Sequence, residues 1–193
     1  MGSHFFAYLG RMKLIRRWSL MRNTVPENIQ EHSLQVAMIA HNIALCGNKY
    51  YGRAYDPERI ALLALFHDVG EVIVGDLPTP VKYFNPDIKS GYQTVENIAK
   101  ERLLAMLPGD FQADYRAIFC DAPPEMARII KAADKIAAYI KCVEEGVAGN
   151  GEFRKAEKSL QEEISKFDDL PEVGYFMHEF MPSFGLTLDE MNG

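Results

Sequence analysis

The middle of the chain reads Ala61-Leu-Leu-Ala-Leu-Phe-His-Asp-Val-Gly-Glu71, an apolar run followed by two polar residues and a further acid. The apolar part predicts a buried helix, and His67 beside Asp68 at its end offers one divalent cation two types of ligand. On a helix, Glu71 would lie about one turn further along nearly the same face. Such a group suits metal-assisted hydrolysis. The pair alone also fits a buried His67–Asp68 hydrogen bond that only stiffens a core.

The composition is that of a globular protein with one core. The chain has 193 residues, 48% of them hydrophobic and 25% charged, so one domain spanning residues 1–193 is expected. A net charge of -6 argues against a nucleic-acid polymer or an anionic membrane as the main partner, but not against a small phosphate ligand. No apolar run approaches the roughly 18 residues of a membrane span. Three cysteines without metal-site spacing (Cys46, Cys120 and Cys142) predict reduced thiols in a cytoplasmic protein.

Helical patterns cover most of the chain, and strand alternation and internal repeats are missing, which predicts an all-α fold. Asn28 and Glu31 have capping-box spacing and open a helix from Ile29 to about Cys46. Asp56-Pro57 places an N-cap before a first-turn proline and opens a helix from Glu58 to about Asp68. Further helices are predicted from about Asp87 to Leu107, Asp110 to Phe119, Pro124 to Ala148, Glu152 to Phe167 and Val173 to Met181.

Two features refine this pattern. Gly70 and Gly75 are expected to end or bend the second helix, and two prolines within Gly75–Pro80 predict a rigid, non-helical loop. In the helix beginning at Pro124, apolar residues recur at three- and four-residue steps and predict a core face made of Met126, Ile129, Ile130, Ala133, Ala137 and Ile140.

Further ligands come from other helices. His32 and His41 stand nine residues apart on one helix, about 900° of rotation, so only one of them can readily join a given site. His32 lies near a loop edge and is the better candidate. Asp134 adjoins an apolar helix face, where a carboxylate is costly to bury unless it is paired or bound to a cation. The alternative for Asp134 is an ion pair with one of its lysine neighbours, Lys131 or Lys135.

The order His32, His67-Asp68, Asp134 resembles the H…HD…D signature of the HD-domain superfamily of metal-dependent phosphohydrolases. More of the chain is similar to the bacterial HD-domain 5′-deoxynucleotidases, and the resemblance extends over most of its length. It is carried by Ser3-His-Phe-Phe, Arg16-Arg-Trp-Ser-Leu-Met-Arg22, Glu31-His-Ser-Leu-Gln-Val-Ala37, Gly75-Asp-Leu-Pro-Thr-Pro-Val-Lys-Tyr-Phe84 and Phe176 to Leu188. The resemblance implies a single-domain, HD-type helical bundle.

The resemblance also implies a metal centre. His32, His67, Asp68 and Asp134 would hold one divalent cation, and a mixed nitrogen and oxygen ligand set suits Mn, Co, Zn or Fe better than Mg. Such a cation polarises phosphate and lowers the pKa of a bound water. Glu71 matches the catalytic acidic residue of the family, the alternative being a salt bridge in a first helical turn or a loop.

Substrate contacts follow from the same resemblance. Arg17 and Trp18 match an Arg-Trp pair in which the guanidinium orients the phosphate and the indole disfavours a ribose 2′-hydroxyl; packing in the core is the alternative for Trp18. Asp76, Leu77, Pro78 and Thr79 match the substrate loop, where Asp76 accepts a hydrogen bond from the sugar 3′-hydroxyl. Asp68 and Asp134 would also lie beside the substrate.

The hypothesis is therefore a metal-dependent phosphomonoesterase. It would convert deoxyribonucleoside 5′-monophosphates to deoxyribonucleosides and phosphate, with selection against ribonucleotides and little base specificity. The resembling enzymes are homodimers, so a homodimer is expected. Two rivals stay open from the sequence: an HD phosphohydrolase that acts on cyclic nucleotides or deoxynucleoside triphosphates, and a metal-stabilised nucleotide-binding module.

Overall fold

The computed structural model describes residues 2–82 and 84–193, so Met1 and Tyr83, the latter within the Gly75–Phe84 motif, lie outside the described residues. The described residues form eleven α-helices, four short 3₁₀ helices and no strand, which confirms the all-α prediction. The α-helices are α1 (Phe5–Leu9), α2 (Ile29–Tyr50), α3 (Pro57–Leu65), α4 (Glu71–Val74), α5 (Thr79–Lys82), α6 (Pro86–Leu104), α7 (Gly109–Phe119), α8 (Pro124–Val147), α9 (Arg154–Ile164), α10 (Pro171–Glu179) and α11 (Leu188–Met191). The 3₁₀ helices are Met12–Leu14, Gly151–Phe153, Ser165–Phe167 and Met181–Gly185.

Helices α2, α3 and α8 form the centre of the fold, with α9 against α8 and α10 against α2. Asn28 caps α2 through its side chain, which accepts from the backbone N–H groups of Gln30 and Glu31, and Pro124 begins α8 at a position where its missing N–H costs nothing. The predicted core face of α8 is confirmed, since Met126 packs against the core and the other five residues are buried.

The second predicted helix ends earlier than expected. Helix α3 stops at Leu65, and His67 and Asp68 lie in hydrogen-bonded turns between α3 and α4. The Ala64 carbonyl accepts from both the backbone N–H and the Nδ1 of His67 (3.2 and 2.7 Å). A side chain that bonds a carbonyl of the preceding turn competes with the i→i+4 bond that would continue the helix. Glu71 consequently begins a new helix.

Other boundaries also differ from the predictions. The Gly75–Pro80 segment is not entirely non-helical, because Thr79 and Pro80 open the short helix α5, and proline is tolerated in a first turn. The helix expected from Glu152 to Phe167 is divided into α9 and two flanking 3₁₀ turns. Gly75 ends α4 with a φ of 78°, the left-handed region that glycine enters without strain. No helix within the described residues is long and apolar enough to cross a membrane.

Candidate active site

Three separate segments bring the predicted ligands together. His32 lies in the first turn of α2 and is fully buried, His67 and Asp68 lie between α3 and α4, and Asp134 lies midway along α8. His32 Nε2 is 3.1 Å from Asp134 Oδ1 and 3.7 Å from Asp68 Oδ2. His67 Nε2 is 3.0 Å from Asp68 Oδ2 and 4.0 Å from Asp134 Oδ1. We call these four residues the HD cluster.

The tautomer of His67 fits a metal ligand. The Nδ1–H group donates to the Ala64 carbonyl, so in the neutral ring the lone pair is on Nε2 and faces the carboxylate of Asp68. Two acceptors 3.0 Å apart repel each other unless a proton or a cation lies between them. Ligands held at about 2.1 Å from one ion are themselves about 3.0–3.4 Å apart. The spacing and the donor set therefore fit one divalent cation.

The ionisable groups of the HD cluster shift one another's pKa values. Burial alone would lower the pKa of His67, but the carboxylates of Asp68 and Asp134 raise it above its ordinary value. Burial would likewise raise the pKa of Asp68 and Asp134, yet the neighbouring histidines lower both pKa values below the ordinary range. The HD cluster thus favours ionised carboxylates and positive charge between them.

Glu71 lies beside the HD cluster and has an unusual environment. Its side chain is 4% exposed, and Oε2 is buried without a hydrogen-bond partner among the described residues. Burial raises the pKa of Glu71 to about 10, with a further contribution from the negative charges of Asp68 and Asp76. A buried carboxyl with a raised pKa can hold a proton at neutral pH. A group that donates and accepts protons during a reaction needs this property.

Arg17 extends from the segment before α2 toward the HD cluster. Its Nη1 is 3.7 Å from Asp68 Oδ2, and its Nε donates to Glu27 Oε2 at 2.9 Å. Burial opposes the charge on Arg17, but Asp134, Glu27 and Asp68 raise its pKa further, so the guanidinium stays protonated. Trp18 donates its indole N–H to the same oxygen of Glu27 at 3.0 Å. Glu27 was not predicted from the sequence, because it lies outside every helix and belongs to no recognised motif.

The substrate-loop residues predicted from the sequence lie near this group. Asp76, Leu77 and Pro78 are half-buried and Thr79 is exposed. Burial raises the pKa of Asp76, the positive charge of Arg17 opposes that rise, and the charge of Asp68 adds to it. Asp76 is therefore close enough to both residues to interact electrostatically, which the sequence alone did not establish.

Two neighbouring contacts hold the loop. Tyr92 of α6 donates its hydroxyl to the Gly75 carbonyl at 2.9 Å. Lys82 of α5 forms an ion pair with Glu96 (3.3 Å) and lies 4.7 Å from the centre of the Tyr92 ring. These contacts connect both ends of the loop to α6.

The structure also places the residues for which the sequence left alternatives. Of the two histidines on α2, His32 belongs to the HD cluster and His41 lies half-exposed further along the helix. Asp134 contacts His32, while the neighbouring Lys135 forms an ion pair with Glu163 at 3.0 Å. Trp18 is half-buried against Phe153 with a ring-centroid distance of 5.3 Å, so it combines a packing contact with its polar contact to Glu27.

Solved structures with the same fold include an HD-domain phosphohydrolase from Listeria innocua, with a TM-score of 0.83 at 23% identity over 94% of this chain and 88% of that one. The cyanophage S-2L HD phosphohydrolase DatZ, bound to dA and one catalytic Zn²⁺, has a TM-score of 0.65 at 22% identity, over 94% of this chain and 96% of that one. At these identities the likeness concerns the fold, and it confirms the HD-type architecture.

Relatives found by sequence have about twice the identity of these solved structures. Proteins named 5′-deoxynucleotidase from Vibrio parahaemolyticus and Shewanella oneidensis are 52% and 50% identical to this chain over 192 residues, covering 98% of this chain and 98% of each relative. A model of the YfbR-like 5′-deoxynucleotidase family matches residues 4–184. Because the match extends over nearly the whole chain, this protein is a hydrolase that belongs to the family of YfbR-like 5′-deoxynucleotidases.

Proposed function

We propose that residues 1–193 act as one phosphohydrolase domain that removes phosphate from deoxyribonucleoside 5′-monophosphates. The observation that carries this proposal is the convergence of the HD cluster, Glu71 and Arg17 from four separate parts of the chain. The names of the bacterial relatives, and the dA bound to the cyanophage enzyme, support a deoxynucleotide substrate.

His32, His67, Asp68 and Asp134 would hold one divalent cation. Mn, Co, Zn or Fe suits two imidazoles and two carboxylates better than Mg, and the catalytic Zn²⁺ of the cyanophage enzyme supports this class. A cation at this site supplies Lewis acidity toward a phosphate oxygen and toward the water that attacks phosphorus. The carboxylates of Asp68 and Asp134 also form the wall of the site beside the phosphate.

The other side chains bind and orient the substrate. Arg17 is held with Nη1 near the HD cluster, where its guanidinium can form charge-assisted hydrogen bonds to the phosphate. Glu71 exchanges a proton during hydrolysis through its buried carboxyl, next to Asp68. Asp76 accepts a hydrogen bond from the 3′-hydroxyl of the sugar, and Leu77, Pro78 and Thr79 complete the loop around it.

Sugar selection is assigned to Trp18, whose indole would occupy the space needed by a ribose 2′-hydroxyl. None of the residues assigned here addresses a base edge, so we expect little preference among the bases. By resemblance to its relatives the enzyme would work as a homodimer, and its three free cysteines suit a cytoplasmic protein.

The test is phosphate release from matched deoxyribo- and ribonucleoside 5′-monophosphates by metal-stripped protein resupplied with Mn, Co, Zn or Mg. Metal-dependent release that favours the deoxy substrates is expected. His32→Ala should abolish release, while His41→Ala, a change to the same helix outside the HD cluster, should leave it intact. Equal rates on both sugars would remove the role of Trp18. Release of pyrophosphate from triphosphates, with no attack on monophosphates, would overturn the substrate class.

A further inference from the structure

Glu27 connects the two residues assigned to phosphate and sugar. One of its carboxylate oxygens, Oε2, accepts from Arg17 Nε at 2.9 Å and from Trp18 Nε1 at 3.0 Å. The backbone adds a third link, because the N–H of Arg17 donates to the Glu27 carbonyl at 3.0 Å. The Glu27 side chain is 12% exposed, so the carboxylate makes these bonds largely shielded from water.

The bond to Arg17 limits how its guanidinium can turn. With Nε bonded to Glu27, the terminal nitrogen Nη1 lies near the HD cluster, 3.7 Å from Asp68 Oδ2. Arg17 is also attracted by Asp134 and Asp76. A guanidinium free to rotate would satisfy these carboxylates directly, which would compete with both the cation and the substrate phosphate.

Trp18 is constrained from three directions. Its backbone has a φ of 56°, in the left-handed region that is uncommon for a residue with a bulky side chain. Its ring meets Phe153 edge-on at 5.3 Å, and its indole N–H is bound by Glu27. Such a conformation persists only where the surroundings enforce it. The plane of the indole therefore depends on Glu27.

We propose that Glu27 is a positioning residue that orients Arg17 and Trp18 together. Its single carboxylate sets the direction of the guanidinium that binds the phosphate and the position of the indole that contacts the sugar. The inference rests on the proposed function, in which these two residues touch the phosphate and the sugar. It adds a residue that has no contact with the substrate and acts through its two neighbours.

Steady-state kinetics of Glu27→Gln test this role, since the variant retains the shape of the side chain but loses its charge. We expect KM for a deoxyribonucleoside 5′-monophosphate to rise roughly 10-fold or more, as expected for losing charge-assisted hydrogen bonds, and kcat to fall less. The ratio of kcat/KM between deoxyribo and ribo substrates should fall several-fold. In a Trp18→Phe background, Glu27→Gln should still raise KM through Arg17 but should no longer change the sugar ratio.

A second readout does not require turnover. Trp18 is the only tryptophan in the chain, so tryptophan emission reports directly on this indole. In metal-stripped protein, Glu27→Gln should shift the emission of Trp18 and weaken its response to added deoxyribonucleoside 5′-monophosphate. The matched control is Arg22→Gln in the same segment. The Arg22 side chain is 93% exposed and forms an ion pair with Glu152, away from Glu27, so this variant should leave kinetics and emission unchanged.

The outcomes distinguish failure of the proposed function from failure of the positioning role of Glu27. No phosphate release by the unaltered enzyme from any monophosphate would overturn the proposed function, while an emission shift in Glu27→Gln would still support the link between Glu27 and Trp18. Wild-type emission, KM and sugar ratio in a folded Glu27→Gln variant would overturn the positioning role. A fall in kcat alone, or a loss of metal binding, would also overturn it. If Glu27→Gln does not fold, the same measurements on Glu27→Asp decide, because the shorter side chain cannot reach both donors.

Discussion

Helix α8 carries two carboxylates in opposite circumstances, the half-buried Asp134 near its middle and the buried Glu145 near its end. Glu145 is 2% exposed and accepts from the backbone N–H groups of Thr24 and Val25, from Asn150 and from the ammonium of Lys141. Asp134 instead lies beside Asp68 and two imidazoles, with its Oδ1 3.1 Å from His32 Nε2 and 4.0 Å from His67 Nε2.

The difference distinguishes a cluster whose contacts are complete within the protein from the cluster proposed as the active site. Around Glu145 both oxygens have donors, so burying the charge fastens the segment Thr24–Val25 to the end of α8 without any added ion. Around Asp134, by contrast, His67 Nε2 and Glu71 Oε2 are buried without a hydrogen-bond partner in the part of the chain that the structure describes. Groups left in this state lower stability unless a ligand completes them, which is the arrangement expected of a binding site.

The largest effect is expected from Asp134→Ala. Removing one ligand should lower turnover at least about 10³-fold, because several kcal/mol of charge stabilisation depend on the cation. Metal at 100 times its Kd should stabilise the folded wild type by about 2.7 kcal/mol and so raise its melting temperature. It should not raise the melting temperature of Asp134→Ala. Phosphate release and thermal melts with and without metal measure both quantities. Wild-type turnover in the variant would mean that Asp134 does not belong to the working site.

Glu71→Gln should have the next largest effect on turnover and should leave the metal response intact. Loss of a positioned proton-transfer group costs about 10²–10⁴-fold, while the four proposed ligands in the HD cluster remain. Activity assays combined with metal-dependent melting distinguish this variant from Asp134→Ala. A variant that loses metal binding together with activity would assign Glu71 to the metal and not to proton transfer.

Glu145→Gln should act on stability. Removing one partner of a buried ion pair leaves Lys141 inadequately compensated, so the free energy of unfolding should fall by about 3 kcal/mol. At a low temperature, where the variant stays folded, turnover should change less than 10-fold because Glu145 is not part of the proposed site. Urea denaturation and phosphate release on the same sample provide the comparison. An unchanged free energy of unfolding would show that the Glu145 contacts contribute nothing net.

The same pair predicts a dependence on pH. Although burial opposes the charge on Glu145, its hydrogen bonds with Lys141 and Thr24 lower its pKa from 4.5 to about 2. The resulting stabilisation is complete above about pH 4.5 and is lost as the pH falls toward 2. The difference in free energy of unfolding between wild type and Glu145→Gln should therefore be smaller at pH 3 than at pH 6. A difference that grows on acidification would contradict the charged state of Glu145.

The smallest effect on stability is expected at Arg22, an exposed residue close to the Thr24–Val25 segment that Glu145 binds. Arg22 forms an ion pair with Glu152 at 2.8 Å, but its side chain is 93% exposed. Solvent and salt screen such pairs, so Arg22→Gln should shift the melting temperature by less than about 2 °C. A shift as large as that of Glu145→Gln would mean that the segment depends on Arg22 more than its exposure indicates.

The helices that could be predicted from the sequence are those with local signals. Asn28 as the cap of α2, Pro124 at the start of α8 and the apolar periodicity of α8 act over a few residues, and all three are confirmed. The end of α3 was not predictable, because it depends on the bond from His67 to the Ala64 carbonyl. Whether a side chain takes a backbone carbonyl is decided by how the ring is held in the fold.

The amino-acid sequence by itself determined the all-α class, the main helices and, through resemblance, the family and the residues proposed for the site. Only the tertiary structure decided that His32 meets Asp134 across 102 residues of sequence, that Glu145 reaches Thr24 across 121, and that Glu27 binds both Arg17 and Trp18. Periodicity and caps are properties of neighbouring residues. Contacts between distant carboxylates and their partners depend on helix packing, which no local pattern encodes.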